Sequence, residues 1–150
     1  MGKKHVATQN KEDLLKESDA VEAKAKKEVN IKSTQRTREG RVYISSTYNN
    51  TIVSLGDEQG NILCWKSSGS IGFKGTKKGT PFAASKVAEA VAEILKKLGI
   101  EKIQVLVRGI GSGRDSAIRS FAARGIDIVS IKDMTPIPHN GCRARKVRRV

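Results

Sequence analysis

From Arg41 to Ser45 the chain alternates polar and apolar residues with a period of two, the pattern of a half-buried strand. Asn49-Asn50 is a turn signal, and Thr51–Leu55 reads as a second strand. Gly56-Asp57-Glu58-Gln59-Gly60 reads as a hairpin loop, from which Asn61–Lys66 returns as a third strand. Residues 67–80 carry four glycines and three lysines and are expected to form a loop. It ends at Thr80-Pro81, an N-cap followed by a residue suited to the first helical turn. Ala83, Ala84, Val87, Ala88, Val91, Ile94, Leu95 and Leu98 then recur at helical spacing. Lys96 and Lys97 suit the C-terminal end of that helix dipole, and Gly99 supplies the cap beyond it. A face so rich in alanine predicts close packing of the helix on a sheet.

Ile103–Val107 is a nearly continuous apolar run, expected of a strand covered on both faces. Gly109-Ile110-Gly111-Ser112-Gly113-Arg114 turns the chain, and Asp115–Arg124 is predicted to be a helix burying Ala117, Ile118, Phe121 and Ala122. Gly125 stops it, and Ile126–Ile131 is a last strand. Trp65 falls within a strand pattern and is expected in the core. The order βββαβαβ predicts an α/β fold, a mixed five-stranded sheet with packed helices.

The flanks differ in kind. Residues 1–40 have almost no aromatic or β-branched content and mix charges of both signs, a composition too polar to build a core. They are expected to be a flexible extension with a weak helix around Asp13–Lys27. Residues 134–150 are kept extended by Pro136 and Pro138 and hold five basic residues and no acid. Three regions follow: a charged extension (1–40), an α/β domain (41–133) and a basic tail (134–150), with net charges of +3, +6 and +5.

The total of +14 on 150 residues changes the picture more than any single motif. Such charge repels itself in a compact state unless a polyanion neutralises it, and nucleic acid is the commonest one. An anionic membrane surface is the rival, but the basic tail lacks large apolar residues to insert. No apolar run approaches membrane-spanning length and no signal-peptide pattern is present, so a cytoplasmic protein is expected. Cys64 and Cys142 stand far apart without CxxC spacing, which fits a reducing compartment.

Three segments are candidates for RNA contact. The turn at 109–114 lies between strand and helix, where backbone N–H groups favour an anion, and Arg108, Arg114 and Arg119 surround it. Its alternative reading is a tight turn needing glycine's conformational freedom. The loop 67–80 offers Lys74, Lys77 and Lys78 on a small-residue backbone, with Phe73 either stacking on a base or pinning the loop. In the tail, His139-Asn140-Gly141-Cys142 forms a turn, and Arg143, Arg145, Lys146, Arg148 and Arg149 follow it. Asn140-Gly141 is also prone to succinimide formation, because glycine does not hinder attack by its nitrogen.

Enzymatic constellations fare poorly. His139 and Cys142 lack a second pair to complete a metal site, and no Walker A or G-x-S-x-G motif occurs. A metal-dependent nuclease needs converging carboxylates, and Arg41–Gly56 contains no acid. Glu89 and Glu93 fall one turn apart on the polar side of the long helix, where Glu93 can pair with Lys97. No catalytic residue, metal, cofactor or small-molecule substrate is expected.

Ser46-Thr47-Tyr48-Asn49-Asn50-Thr51, Gly60-Asn61 with Trp65, Gly72-Phe73-Lys74-Gly75-Thr76-Lys77-Lys78 and Thr80-Pro81-Phe82-Ala83-Ala84 together resemble a known family. Gly109, Gly111, Gly113-Arg114, Ala117-Ile118-Arg119 and Asp133-Met134-Thr135-Pro136-Ile137-Pro138-His139-Asn140-Gly141-Cys142-Arg143 extend the likeness over about residues 41–150. The family is that of the universal small-subunit ribosomal protein number eleven, in its bacterial form. The resemblance implies a ribonuclease-H-like fold without catalytic carboxylates, and a seat on the small-subunit platform near the mRNA exit path. It implies small-subunit rRNA and neighbouring platform proteins as partners. The rRNA contacts it implies map to Asn49, Asn50, Lys74, Lys77, Lys78, Arg108, Gly111, Arg114 and the tail from His139. Three departures stand out: Ile110 and Ala144-Arg145 where the family usually has proline, and a longer, acid-rich extension before Arg41.

Overall fold

The computed structural model describes residues 38–143 and 145–147, together with Asp19 and Val21. Asp19 and Val21 are helical, within the stretch expected to form a weak helix, and Val21 packs against the core. The rest of that expected helix, and Arg148 and Arg149, lie outside the described residues.

The strands are β1 (Glu39–Ser46), β2 (Thr51–Gly56), β3 (Ile62–Ser67), β4 (Lys102–Arg108) and β5 (Asp127–Asp133). They form one sheet in the order β3-β2-β1-β4-β5. β1 pairs antiparallel with β2 and β2 with β3, whereas β4 runs parallel to both β1 and β5. The helices are α1 (Ser68–Ile71), α2 (Pro81–Leu98) and α3 (Gly113–Ala123), and a 3-10 turn covers Gly75–Gly79. The predicted order βββαβαβ is therefore the observed one, with two short helical pieces inside the segment read as loop 67–80.

Those short pieces form for local reasons. Ser67 accepts from the Ser70 amide while the Ser70 hydroxyl accepts from the Ser67 amide, a reciprocal cap, and Gly72 closes the turn at φ 119°. Phe73 then packs edge-on against Phe82, with ring centroids 6.0 Å apart, so it pins the loop.

α2 begins as read from its sequence. The Thr80 hydroxyl accepts from the Ala83 amide at 3.2 Å, a cap of about 1 kcal/mol, and Gly99 ends the helix at φ 74°. Its small residues let it lie close on the sheet over Val42, Ile44, Val53, Leu55, Ile103, Val105 and Val107, all buried. α3 lies beside α2 and adds Ala117 and Phe121 to the same core; Ile118 is half-buried and Ala122 is exposed, not buried as expected. Glu89 receives both Lys86 at 3.2 Å and Arg124 at 3.0 Å, tying the two helices together, and Glu93 faces Arg124 at 4.0 Å.

Two expectations are corrected by this layering. β4 is covered on one face only: Ile103, Val105 and Val107 are buried, while Gln104 and Leu106 on the opposite face are half-exposed. The apolar run hid an alternation, because Leu106 is apolar without being core. Trp65 is 60% exposed, not core, since Cys64 takes the helix-facing place on β3 and its neighbour must point the other way.

Candidate nucleic-acid interface

Topology collects the candidate segments. β1, β3, β4 and β5 all point the same way, so each delivers its C-terminal end to one edge of the sheet. The turn after β1, the loop after β3, the glycine turn after β4 and the tail after β5 therefore meet there. Ligands of open α/β sheets characteristically bind outside such carboxyl ends.

Close packing of backbone holds these segments. Gly111 donates its amide to the Ser46 carbonyl at 3.0 Å, and the Ser112 hydroxyl donates to the Gly79 carbonyl at 3.0 Å. A Cβ at Gly79 would collide with the Tyr48 carbonyl, one at Gly109 with the Ser46 carbonyl, and one at Gly111 with Ser46 Oγ and the Thr47 carbonyl. One at Gly113 would stand 2.5 Å from Thr51 Oγ1 and 2.7 Å from Ala84 Cβ. Beneath them Ser46, Thr51 and Ser68 are fully buried, with Ser46 Oγ 3.3 Å from Thr51 Oγ1 and the Ser68 hydroxyl 3.4 Å from the Thr51 carbonyl.

These contacts give the glycines of the 109–114 turn a structural role. Of its three glycines only Gly109 has a positive φ, 99°. Gly111 and Gly113 are buried, and their missing side chains make room for the end of β1. At Gly111 and Gly113 the room a side chain would need is taken by the chain's own atoms, and the Gly111 amide donates to the Ser46 carbonyl.

Arg114 is likewise committed within the chain. Its guanidinium donates to the Asp133 carboxylate at 2.5 Å, to Thr135 Oγ1 at 3.2 Å and to the Gly109 carbonyl. Asp133 also accepts from the Thr135 amide at 2.8 Å, and Thr135 Oγ1 accepts from the Gly109 amide at 3.0 Å. Arg114 and Thr135 hold the Asp133 carboxyl well below the usual carboxylate range. This knot, with the Met134 amide on the Val107 carbonyl at 2.7 Å, fixes where the tail leaves the sheet.

The remaining predicted residues of the loops and tail lie at or beyond this edge, whereas Arg119 sits midway along α3. Asn49, Lys74, Lys77, Arg108 and Arg119 are exposed, and Lys78 is half-buried. His139, Asn140, Arg143, Arg145 and Lys146 are exposed along the tail, where Asn140 takes φ 55°. Asn50 is different: its amide accepts nothing from the chain at Oδ1, although that atom is buried. One feature of this edge was not singled out from the sequence: Tyr48 stands 75% exposed in the turn after β1. Its place beside a turn signal at the end of a strand was the available hint. Among the described residues there is no cluster of side chains suited to a metal, and no helix is long and apolar enough to cross a membrane.

The sequence is similar to that of known proteins. The family model described as Ribosomal protein S11 matches residues 40–149. The small ribosomal subunit protein uS11c of Cyanidioschyzon merolae is 52% identical over 121 residues, covering 80% of this chain and all of that protein. The small ribosomal subunit protein uS11 of Treponema pallidum is 52% identical over 119 residues, covering 79% of this chain and 94% of its own length. With nearly the whole α/β domain and tail matched, the chain belongs to the Ribosomal protein S11 family, structural and non-enzymatic components of the small ribosomal subunit.

Proposed function

We propose that this chain binds small-subunit rRNA through the C-terminal edge of its sheet and helps shape the platform and the mRNA exit path. The observation that carries this is the convergence of two turns, one loop and a basic tail on a single edge. Lys74, Lys77, Lys78, Arg108 and Arg119 supply charge around the loops, and Arg143, Arg145, Lys146, Arg148 and Arg149 supply it along the tail. Backbone packed tightly by glycine keeps Asn49, Asn50 and Gly111 in fixed places, so the phosphates meet a preorganised surface. Arg114 acts mainly by aiming the tail, and His139 and Asn140 turn the tail toward its RNA groove. Platform ribosomal proteins are the expected neighbours on the remaining surface.

Sucrose-gradient sedimentation of a lysate tests the reading. Co-migration with the small subunit through a high-salt wash is expected. Recovery mainly among free soluble proteins would overturn it.

A further inference from the structure

The sheet face turned away from α2 and α3 holds side chains that neither the core nor the loop edge explains. Register sets Tyr43, Ser54 and Trp65 side by side across β1, β2 and β3, with Leu106 and Lys132 continuing the row on β4 and β5. Trp65, the chain's only tryptophan, is 60% exposed there, and Tyr43 is half-buried. The Tyr43 ring leans over bare backbone: a Cβ on Gly56 would stand 3.3 Å from its Cε2. At about 4.8 Å per strand the two aromatic residues are about 10 Å apart, with only the short Ser54 side chain between them.

Charge on this face has one sign near the rings. The adjacent rows bring Arg41 on one side and Arg108 on the other, and Lys132 closes the ring row. The carboxylates of this face, Glu39 and Asp127, stand at the far end beside Lys102. Exposed Ile52 and Ile62 stand near Trp65 among Ser45, Ser54 and Ser67, but Arg41, Arg108 and Lys132 fit a polyanion better than an apolar protein surface. Flat rings on an open sheet, cations beside them and no nearby acid make a surface for unstacked bases and their phosphates. The row ending in Arg108 runs straight into the loop edge, so one strand of RNA can follow both.

We propose that this open face is a second RNA contact, on which unpaired bases of small-subunit rRNA stack against Trp65 and Tyr43. It rests on the rRNA-binding reading above and extends it from the edge to the face. Because Trp65 is the only tryptophan, its emission reports the face without a label. The full chain is titrated with purified small-subunit rRNA, with filter retention measured in parallel. Emission is expected to be quenched in step with retention. W65F should bind nearly as well as the parent, and W65A on the order of 10-fold more weakly. Retention that saturates while emission stays constant, or W65A binding equal to the parent, would overturn the proposal and leave the loop edge as the rRNA site. Quenching that appears only when other small-subunit proteins are added would also overturn it, assigning the face to a protein. Loss of retention for the parent chain itself would instead remove the rRNA-binding reading beneath.

Discussion

Gly113→Ala sets two physical effects against each other at one atom. Gly113 is the first residue of α3 and its φ is not positive, so helix propensity alone favours alanine by up to about 1 kcal/mol. Packing opposes this. The added Cβ would stand 2.5 Å from Thr51 Oγ1, 2.7 Å from Ala84 Cβ and 3.2 Å from Ser46 Oγ. All three neighbours are fully buried, so none can swing into solvent. Inserting a methyl group into such a site costs roughly 1–3 kcal/mol. The net expectation is a loss of about 1–2 kcal/mol in urea unfolding, with the m-value unchanged. Relief would come by moving the start of α3 off the end of β1, which displaces the 109–112 turn and weakens rRNA binding as well. A G113A chain as stable as the parent, or more so, would refute the claim that this glycine is required for space.

Further outcomes follow from the same geometry. Asp133→Asn should release the tail and lower stability at neutral pH; because the folded carboxyl sits below its unfolded value of about 4, that difference is present above about pH 4 and fades as pH falls further. A parent and D133N pair whose stabilities do not converge in acid would count against the knot. Deleting Arg143–Val150 should flatten the salt dependence of rRNA affinity by about 0.7–0.9 per lost phosphate contact, and an unchanged slope would assign the electrostatics to the loops. A thiol reagent at pH 8 should label exposed Cys142 and spare Cys64, whose burial pushes its thiol up to about 11; equal labelling in the folded chain would contradict the core assignment. Asn140, exposed and at φ 55° before Gly141, should accumulate isoaspartate, and peptide maps showing only asparagine in aged protein would contradict this.

Elements with their own punctuation were legible in the sequence. α2 carries its start in Thr80-Pro81, its buried face in the spacing of alanine, valine and leucine, and its stop in Gly99, and it forms as read. The meander was equally visible from alternation and turn residues, and the two parallel strands from apolar runs beside glycine. What escaped was set by tertiary contacts. Which sheet face is covered depends on both crossovers placing α2 and α3 on one side, and no local signal separates Leu106, on the open face, from Val105 and Val107 beneath the helices. Trp65 misled for the same reason. The glycines at 109, 111 and 113 were visible as a motif, but their reason lay in distant atoms: Ser46 and Thr47 for the first two, and the side chains of Thr51 and Ala84 for Gly113. The part Arg114 plays within the chain was not legible because its partner Asp133 is distant in sequence and brought near only when β5 pairs with β4.

The proposed rRNA contact has a direction: the edge where the parallel strands end, not the opposite edge. Charge-neutralising glutamines at Lys74, Lys78 and Arg108 remove cations from the first, and glutamines at Lys96 and Lys102 remove them from the second. The measurement is the slope of log affinity for small-subunit rRNA against log salt. The first set should flatten it by about 0.7–0.9 per residue in contact with phosphate, and the second should leave it unchanged. Equal effects from both sets, or a larger one from the second, would contradict the account.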